Sequence, residues 1–442
     1  MKFSQFNSII PYGNKFALYN AFQKKVVFLV PQLKNILDRE IQGEIDNLRT
    51  IYPDFYNILL ENSYIIKDDI DEVDIIKKFV YSIDENKKQF DLTINPTMNC
   101  NFRCWYCYET HINQSKMSAD TINKIIKLIH KIAQDKEIEV FNIGFFGGEP
   151  LLYFKENVIP IIDKFISIME IFDKKFTIGF TSNSYLFNDE ILGYFNDKKL
   201  KPHFHITLDG YRDNHDKVRF VSKTKGSYSI IINNIKKIVE NEMFVRARIN
   251  YTDENIEDTY KIADDLLTIK KEKSKKYLLV DFHRVWQNLR QENVENIVDR
   301  NVEIMKNKGI NAKSSTYLND TVRGSCYADK RNSAVINFNG DVYKCTSRDF
   351  KTENREGFLT DEGEIVWENN SLERRMKVKF NNPPCLVCRI LPICNGACSQ
   401  IALERSDKHD YCVHSFNDKE KDKVVKAMVG VIMNSNNIYE HF

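Results

Sequence analysis

Apolar and polar positions along the middle of the chain follow two periods in turn, one of two residues and one of about 3.6. Strand-like runs fall at Asp91–Thr97, Glu139–Phe146, Phe176–Ser182, His203–Asp209, Phe244–Thr252 and Tyr277–Val285. Amphipathic stretches lie between them, most clearly at Thr121–Ile132. There Ile122, Ile125, Ile126 and Ile129 recur on one helical face and Ser118 offers an N-cap. Strand alternating with helix means parallel strands joined by right-handed crossovers, hence a (β/α) barrel or part of one. In such barrels chemistry collects at the C-terminal strand ends.

The flanks read differently. In residues 1–90, Lys15–Tyr19 and Lys25–Val30 enclose Asn20–Gln23 as a β-hairpin. Helical stretches follow at Gln32–Arg39, Glu44–Ile51 and Asp54–Glu61, then an apolar run at Tyr64–Lys67 and another stretch at Val73–Tyr81. This is a small module compatible with a winged-helix-like, peptide-binding domain; a structural cap on the barrel is the alternative. After Val285 a linker-like and helical stretch, Asn288–Asn319, leads to a cysteine-rich third unit. Within it NFNGDVY, Asn337–Tyr343, reads as a hairpin turn in which Gly340 takes the positive φ. Asp418–Asn434 reads as a docking helix. The pattern thus predicts three domains, 1–90, 91–310 and 311–442.

Length and charge narrow the function classes. A chain of 442 residues has room for two or three domains. Its 64 basic and 62 acidic residues are interspersed, so no long-range field directs it to nucleic acid. Lys270–Lys276 fits a solvated helix end. MKFSQFNSII lacks an apolar signal core and no apolar run is long enough to span a bilayer, so a cytoplasmic protein without a membrane partner is expected. In that reducing setting ten cysteines point to metal clusters rather than disulfides.

The chemistry begins at Asn99–Tyr108, NCNFRCWYCY, where Cys100, Cys104 and Cys107 follow the first strand as C-x3-C-x2-C. Three thiolates at this spacing can hold three corners of a cubane iron–sulfur cluster and leave one iron without a protein ligand. A Cys3His zinc site with His111 is the alternative. After the second strand comes GFFGGEP, in which Gly147 and Gly148 let the backbone approach a ligand and Glu149 offers a carboxylate to an ammonium group. In this order the two motifs resemble the radical S-adenosylmethionine (SAM) superfamily.

That resemblance implies a partial (β/α)6 barrel whose open iron binds the methionine end of SAM. An injected electron would then cleave the sulfonium to a 5′-deoxyadenosyl radical. It further implies cofactor contacts from Tyr106, Gly147, Gly148 and Glu149, and polar groups against the ribose from Thr181, Ser182 and Asn183. Thr207, Asp209 and Gly210 close the fourth strand. The series TLDG then HD-x-x-R, with NHDKVR at Asn214–Arg219, resembles the peptide- and protein-modifying branch, in which the arginine reaches the cofactor; here it is Arg219. Arg248 and Asn250 end the fifth strand, where a guanidinium can pair with a carboxylate. Each of these alone also reads as a cap or a surface ion pair. His283 and Arg284 face the substrate or, for the histidine, sit satisfied at the barrel mouth.

The remaining seven cysteines run Cys326-x13-Gly340-x4-Cys345, then Cys385-x2-Cys388-x5-Cys394-x3-Cys398, then Cys412. The arrangement resembles the SPASM domain, a C-terminal extension with two auxiliary 4Fe–4S clusters, and implies three clusters in all; zinc knuckles at Cys385–Cys398 are the alternative. The family's interleaved connectivity assigns Cys385, Cys388, Cys394 and Cys412 to the second auxiliary cluster. It leaves Cys326, Cys345 and Cys398 for the first, which the hairpin would help assemble, with one iron open to another ligand. The N-terminal module is similar in position to the elements by which peptide-modifying enzymes hold a leader peptide. Sulfatase-activating members carry an aspartate directly after the cysteine equivalent to Cys345, where this chain has Thr346 and then, further on, Asp349. Peptide epimerases need a free thiol, and the ligand sets leave none. An oxidative cross-link in a ribosomally made precursor peptide is therefore expected, thioether, C–C or C–O, with a flavodoxin or ferredoxin-type reductant. The alternatives are a formylglycine-forming or other protein-residue oxidase and, in another class, a non-catalytic electron-transfer scaffold, which would have no use for GGEP.

Overall fold

The computed structural model describes residues 1–222, 225–288, 294–314, 325–396, 398–405, 411–412, 415 and 417–434. It forms two compact units, Met1–Asn86 with Tyr317–Arg331 and Glu373–Phe442, and Lys87–Thr316 with Asn332–Leu372. Among the described residues no helix is long and apolar enough to cross a membrane.

The first unit contains strands β1 (Lys2–Phe3), β2 (Asn7–Tyr12), β3 (Lys15–Asn20), β4 (Lys25–Leu29) and β5 (Ile65–Ile66). β2, β3 and β4 make an antiparallel sheet in that order, and β1 pairs with β5. Successive residues on a strand point to opposite faces, so an all-apolar strand must be covered on both. Ala17, Tyr19, Val26 and Phe28 pack with Val424, Val425 and Val429 of helix Asp418–Asn434 and with Ile76 and Val80 of helix Glu72–Asp84. Leu18, Val27 and Leu29 face Leu33 and Leu37 of helix Pro31–Gln42, and Phe55 and Leu59 of helix Pro53–Glu61. The expected hairpin is present, with β2 as a third strand the alternation did not reveal. The expected docking helix is also there.

The second unit is an α/β layer built on one eleven-stranded sheet, with a separate antiparallel pair formed by Phe220–Ser222 and Lys225–Gly226. Its strands are β6 (Gln89–Ile94), β7 (Val140–Phe145), β8 (Lys175–Ser182), β9 (His203–Leu208), β10 (Phe220–Ser222), β11 (Lys225–Gly226), β12 (Val245–Tyr251), β13 (Leu278–Arg284) and β14 (Ala312–Ser314). They are followed by β15 (Ser333–Ile336), β16 (Asp341–Tyr343), β17 (Gly357–Leu359) and β18 (Ile365–Trp367). The order is β14-β13-β12-β9-β8-β7-β6-β15-β16-β17-β18, and the run from β14 to β15 is parallel. All six expected strands are found, in consecutive parallel order. β15–β18 continue the sheet beyond β6 as an antiparallel meander, with Gly340 at φ +87° in the β15–β16 turn.

Alternation decides which side of the sheet is dry. Phe145, Phe180 and Phe204 sit in register on β7, β8 and β9 and stack at 5.0 and 5.2 Å beneath the helices. Helix Ala119–Gln134 adds Ile122, Ile125, Leu128 and Ile129 to that core, and Ser118 Oγ caps it by accepting from Thr121 N at 3.1 Å. The intervening strand positions carry Asn142, Thr177, His205, Thr207, Arg246 and Arg248, so the opposite face of the sheet is polar.

In the first unit one buried ion cluster ties three segments together. Lys379 Nζ lies 2.7 Å from Asp84 and 2.8 Å from Asp329, all nearly inaccessible to solvent, and Ser325 Oγ donates to Asp84. Burial pushes the Asp84 carboxyl up and the lysine opposes this. Burial alone would lower Lys379, but the two carboxylates outweigh it and raise it. Removing the shared cation leaves two buried carboxylates facing each other. Lys379→Met is therefore expected to destabilise this unit by about 3 kcal/mol in urea unfolding; an unchanged midpoint would contradict the reading.

Candidate functional site

A cleft in the second unit lies at the C-terminal ends of the parallel strands, where the sequence placed the chemistry. Its floor begins with the loop after β6. Asn95 N donates to Ile336 O on β15 (2.8 Å), Thr97 Oγ1 donates to Ser115 O (2.5 Å) and Ser115 Oγ accepts from Met98 N (2.9 Å). Phe102 is buried against Tyr185, with ring centroids 5.6 Å apart. These anchors fix both halves of the loop while Cys100, Cys104 and Cys107 line the cleft.

The GGEP loop after β7 closes on the first. Glu149 N donates to Asn99 O at 2.9 Å, which brings Gly148 so near that a Cβ there would lie 2.2 Å from the same carbonyl. Gly148 has φ +46° and Gly147 φ +73°, and a Cβ on Gly147 would lie 2.7 Å from the Asn95 side chain. Only glycine fits either position. Both glycines line the cleft, but the Glu149 carboxylate stands behind its wall, fully buried. It accepts from Leu151 N (3.0 Å), Ser182 Oγ (2.7 Å) and Asn183 N (2.8 Å), so it links the ends of β7 and β8.

A second network spans the strands across the cleft. The Tyr106 hydroxyl donates to Asp209 at 2.6 Å and accepts from Arg219 Nη2 (2.8 Å) and Asn250 Nδ2 (2.9 Å), while Arg219 Nε donates to Asp209. Burial pushes the Tyr106 hydroxyl far above its ordinary pKa, so it stays a neutral donor. The HD of HD-x-x-R shapes the segment that presents Arg219. Buried His215 accepts from Asp209 N on Nδ1 (3.2 Å) and meets Ser227 Oγ with Nε2 (3.0 Å), and Asp216 accepts from Ser227 N and Tyr228 N. Burial, then the charge of Arg219, holds His215 well below its usual pKa, consistent with this neutral tautomer.

Most of the sequence-chosen residues converge on the cleft: the three cysteines, Tyr106, Gly147, Gly148, Thr181, Ser182, Asn183, Thr207, Arg219, Arg248 and Asn250. Asn183 Nδ2 donates to Asn101 Oδ1 (2.8 Å) and lies 3.9 Å from Cys100 Sγ. Asp209 acts from behind, through Tyr106 and Arg219. His283 meets Asp281 at 3.0 Å and Arg284 meets Asp253 at 3.4 Å.

The residue the sequence did not single out is Glu109. Its Oε2 accepts from Gly148 N at 2.9 Å, whereas Oε1 is buried without a hydrogen-bond partner. Burial, with a smaller contribution from Asp349, pushes its pKa up to about 7, against the Gly148 bond. An acid two positions past a cysteine looks like any surface carboxylate until the GGEP loop folds over it. Trp286 and Gln287 were missed for the same reason, since they enter the cleft only through the β13 connection.

The thiols fit an iron–sulfur group. Burial raises Cys100 to about 12 and Cys107 to about 11, with a smaller upward push on each from Cys104, and it raises Cys104 as well. Metal binding must therefore displace protons here. Among the described residues, the ligand atoms that draw within 4.8 Å of one another belong to Cys107, Glu109 and His111. Cys100 and Cys104 stand outside that group, so the three thiols are not gathered as tightly as one tetrahedral zinc requires. In the first unit Cys394 is raised to about 12 by burial and then by Cys385, Cys388 and Cys412, whose charges it feels. Cys326 and Cys398 belong to that unit. Cys345 belongs to the second, where its Sγ accepts from Ser347 N at 3.3 Å. No cysteine among the ten is in a disulfide.

The Gly148 approach yields a sharp expectation. Gly148→Ala must push the cysteine loop away, and SAM cleavage is expected to fall about 100-fold. Gly193→Ala on helix Asp189–Asp197, whose Cβ meets nothing within 4 Å and whose backbone is helical, serves as the control and keeps its cleavage activity. Equal rates for the two variants would contradict the close contact.

Comparisons with known proteins agree with this geometry. Residues 94–266 match the model of the Radical SAM superfamily. A cysteine-type anaerobic sulfatase-maturating enzyme of Clostridium novyi is 29% identical over 156 residues, which cover 34% of this chain and 40% of that protein. The chain thus spans about two fifths of that relative's length. Among solved structures, native anSMEcpe with bound AdoMet aligns at TM-score 0.57 and 17% identity, covering 78% of this chain and 100% of that one. Streptococcus suis SuiB bound to the precursor peptide SuiA aligns at TM-score 0.52 and 16% identity, covering 92% and 98%. These two likenesses establish the fold. With the thiol triplet and the glycine loop meeting in one cleft, residues 94–266 form a radical SAM domain.

Proposed function

We propose that this enzyme is a maturase of a ribosomally made precursor peptide that oxidatively cross-links side chains. The observation that carries the reading is the cleft itself: three thiols, two obligatory glycines and a guanidinium-rich far wall at the strand ends. Cys100, Cys104 and Cys107 would ligate a 4Fe–4S cluster. With SAM bound, this group supplies a 5′-deoxyadenosyl radical on receipt of one electron from a flavodoxin or ferredoxin-type donor.

The chain's own residues orient and shield. Gly147 and Gly148 admit a ligand against the backbone; Ser182, Asn183 and Thr207 offer polar contacts; Tyr106 with Asp209 holds Arg219 rigid. In this reading Cys385, Cys388, Cys394 and Cys412 hold one auxiliary cluster of a SPASM domain, and Cys326, Cys345 and Cys398 another. Clusters held by these cysteines would supply an acceptor for the electron left when a substrate hydrogen atom has been removed and the new bond has formed with loss of a proton. Residues 1–90 would hold the leader of the precursor. A cytoplasmic location suits ten cysteines that form no disulfide.

A second reading, conversion of a protein cysteine to formylglycine, is favoured by the likeness to the sulfatase-maturating enzyme. Against it, Thr346 follows Cys345, and Asp349 is engaged by Thr110 N (2.8 Å) and Thr110 Oγ1 (2.5 Å). Co-expression with a short precursor encoded beside the gene separates the two by mass. Loss of two hydrogens per site with sulfur retained is expected for the cross-link. Loss of sulfur with gain of an aldehyde would select the second reading, and an unmodified peptide would overturn both.

A further inference from the structure

The charged groups on the cleft wall are not balanced alike. Arg219 is neutralised by Asp209, and Arg284 meets Asp253. Arg248, on β12, forms no ion pair among the described residues. Its one hydrogen bond runs from Nε to Asn250 Oδ1 at 2.9 Å, which leaves the two terminal nitrogens of the fork without an acceptor. The acid across the strand register, Asp281, is taken by Arg246 Nε at 2.6 Å and by His283 at 3.0 Å. Asn250 is itself fixed by the Tyr106 hydroxyl, so the guanidinium is held in one orientation.

Solvent reaches Arg248 through the cleft, yet protein surrounds it enough that desolvation lowers its pKa. A partly shielded cation with an open planar fork is matched by a carboxylate, which takes both N–H groups at once. Along the sheet β12 is separated from β6, which leads into the cysteine loop, by β7, β8 and β9. Trp286, 67% exposed, lines the same cleft and offers an aromatic surface to a peptide.

We infer that Arg248 is the receptor for a carboxylate of the peptide substrate, an Asp or Glu side chain or the C-terminus next to the modified residue. The inference rests on the peptide-maturase reading and names its substrate class. The other source of the same chemistry is the carboxylate of SAM.

The test uses the reconstituted full chain at saturating SAM and the precursor modified in the co-expression experiment. Each Asp and Glu of its modified segment is replaced in turn by Asn or Gln, and its C-terminus by the amide. For one such change the wild type should lose at least about tenfold in kcat/KM. Arg248→Gln should treat that pair alike, and Arg248→Lys should retain part of the preference because it keeps the charge but not the fork. A wild type that treats every acid and amide pair alike overturns the inference. So does an Arg248→Gln variant that raises the KM for SAM and slows acid and amide peptides by one common factor, since that assigns the fork to the cofactor. A precursor that is never modified defeats the maturase reading and this inference with it, whereas indifference to charge defeats this inference alone.

Discussion

The Asn99 carbonyl holds the site together. It accepts from Glu149 N at 2.9 Å and leaves no room for a Cβ on Gly148. The loops after two neighbouring parallel strands are thereby fixed backbone to backbone, with no side chain between them to adjust. The positions of Cys100 and of the glycine cradle become one geometric fact. Everything else on that side of the cleft is arranged around this contact. Glu149 lies buried because it must turn away from the loop it braces, and Glu109 folds back to satisfy the N–H that Gly148 exposes.

Across the cleft the organising group is a hydroxyl. Tyr106 comes from the cysteine loop itself, yet its oxygen meets Asp209 from β9, Arg219 from the segment beyond, and Asn250 from β12. A buried network of this kind specifies one arrangement only when each member is satisfied. His215 completes it by accepting the Asp209 amide, and its lowered pKa keeps it neutral for that task. Coupling between loop and barrel wall therefore runs through hydrogen bonds and through the buried ion pair of Arg219 with Asp209.

Much of this was legible in the sequence, for identifiable reasons. The six core strands alternate cleanly because one face packs phenylalanines against helices and the other faces a polar interior. The cysteine and glycine motifs are local, so their spacing survives as text. What was hidden is either interrupted or non-local. Pro11 and the polar ends of NSIIPY mask β2, although it pairs fully with β3. Nothing in Ser333–Ile336 announces a parallel partner in β6, far earlier in the chain. The role of Glu149 was hidden too, because a motif records which residue is present and not which way its carboxylate faces. Glu109 and Trp286 acquire meaning only from the loops that fold against them.

The account stands on the claim that this cleft cleaves SAM. The direct measurement is the yield of 5′-deoxyadenosine from the anaerobically reconstituted full chain given SAM and dithionite. The account predicts 5′-deoxyadenosine and methionine in equal amounts, lost when Cys100, Cys104 and Cys107 are replaced by Ala. A wild-type preparation that carries its iron and sulfide yet forms no 5′-deoxyadenosine would contradict it.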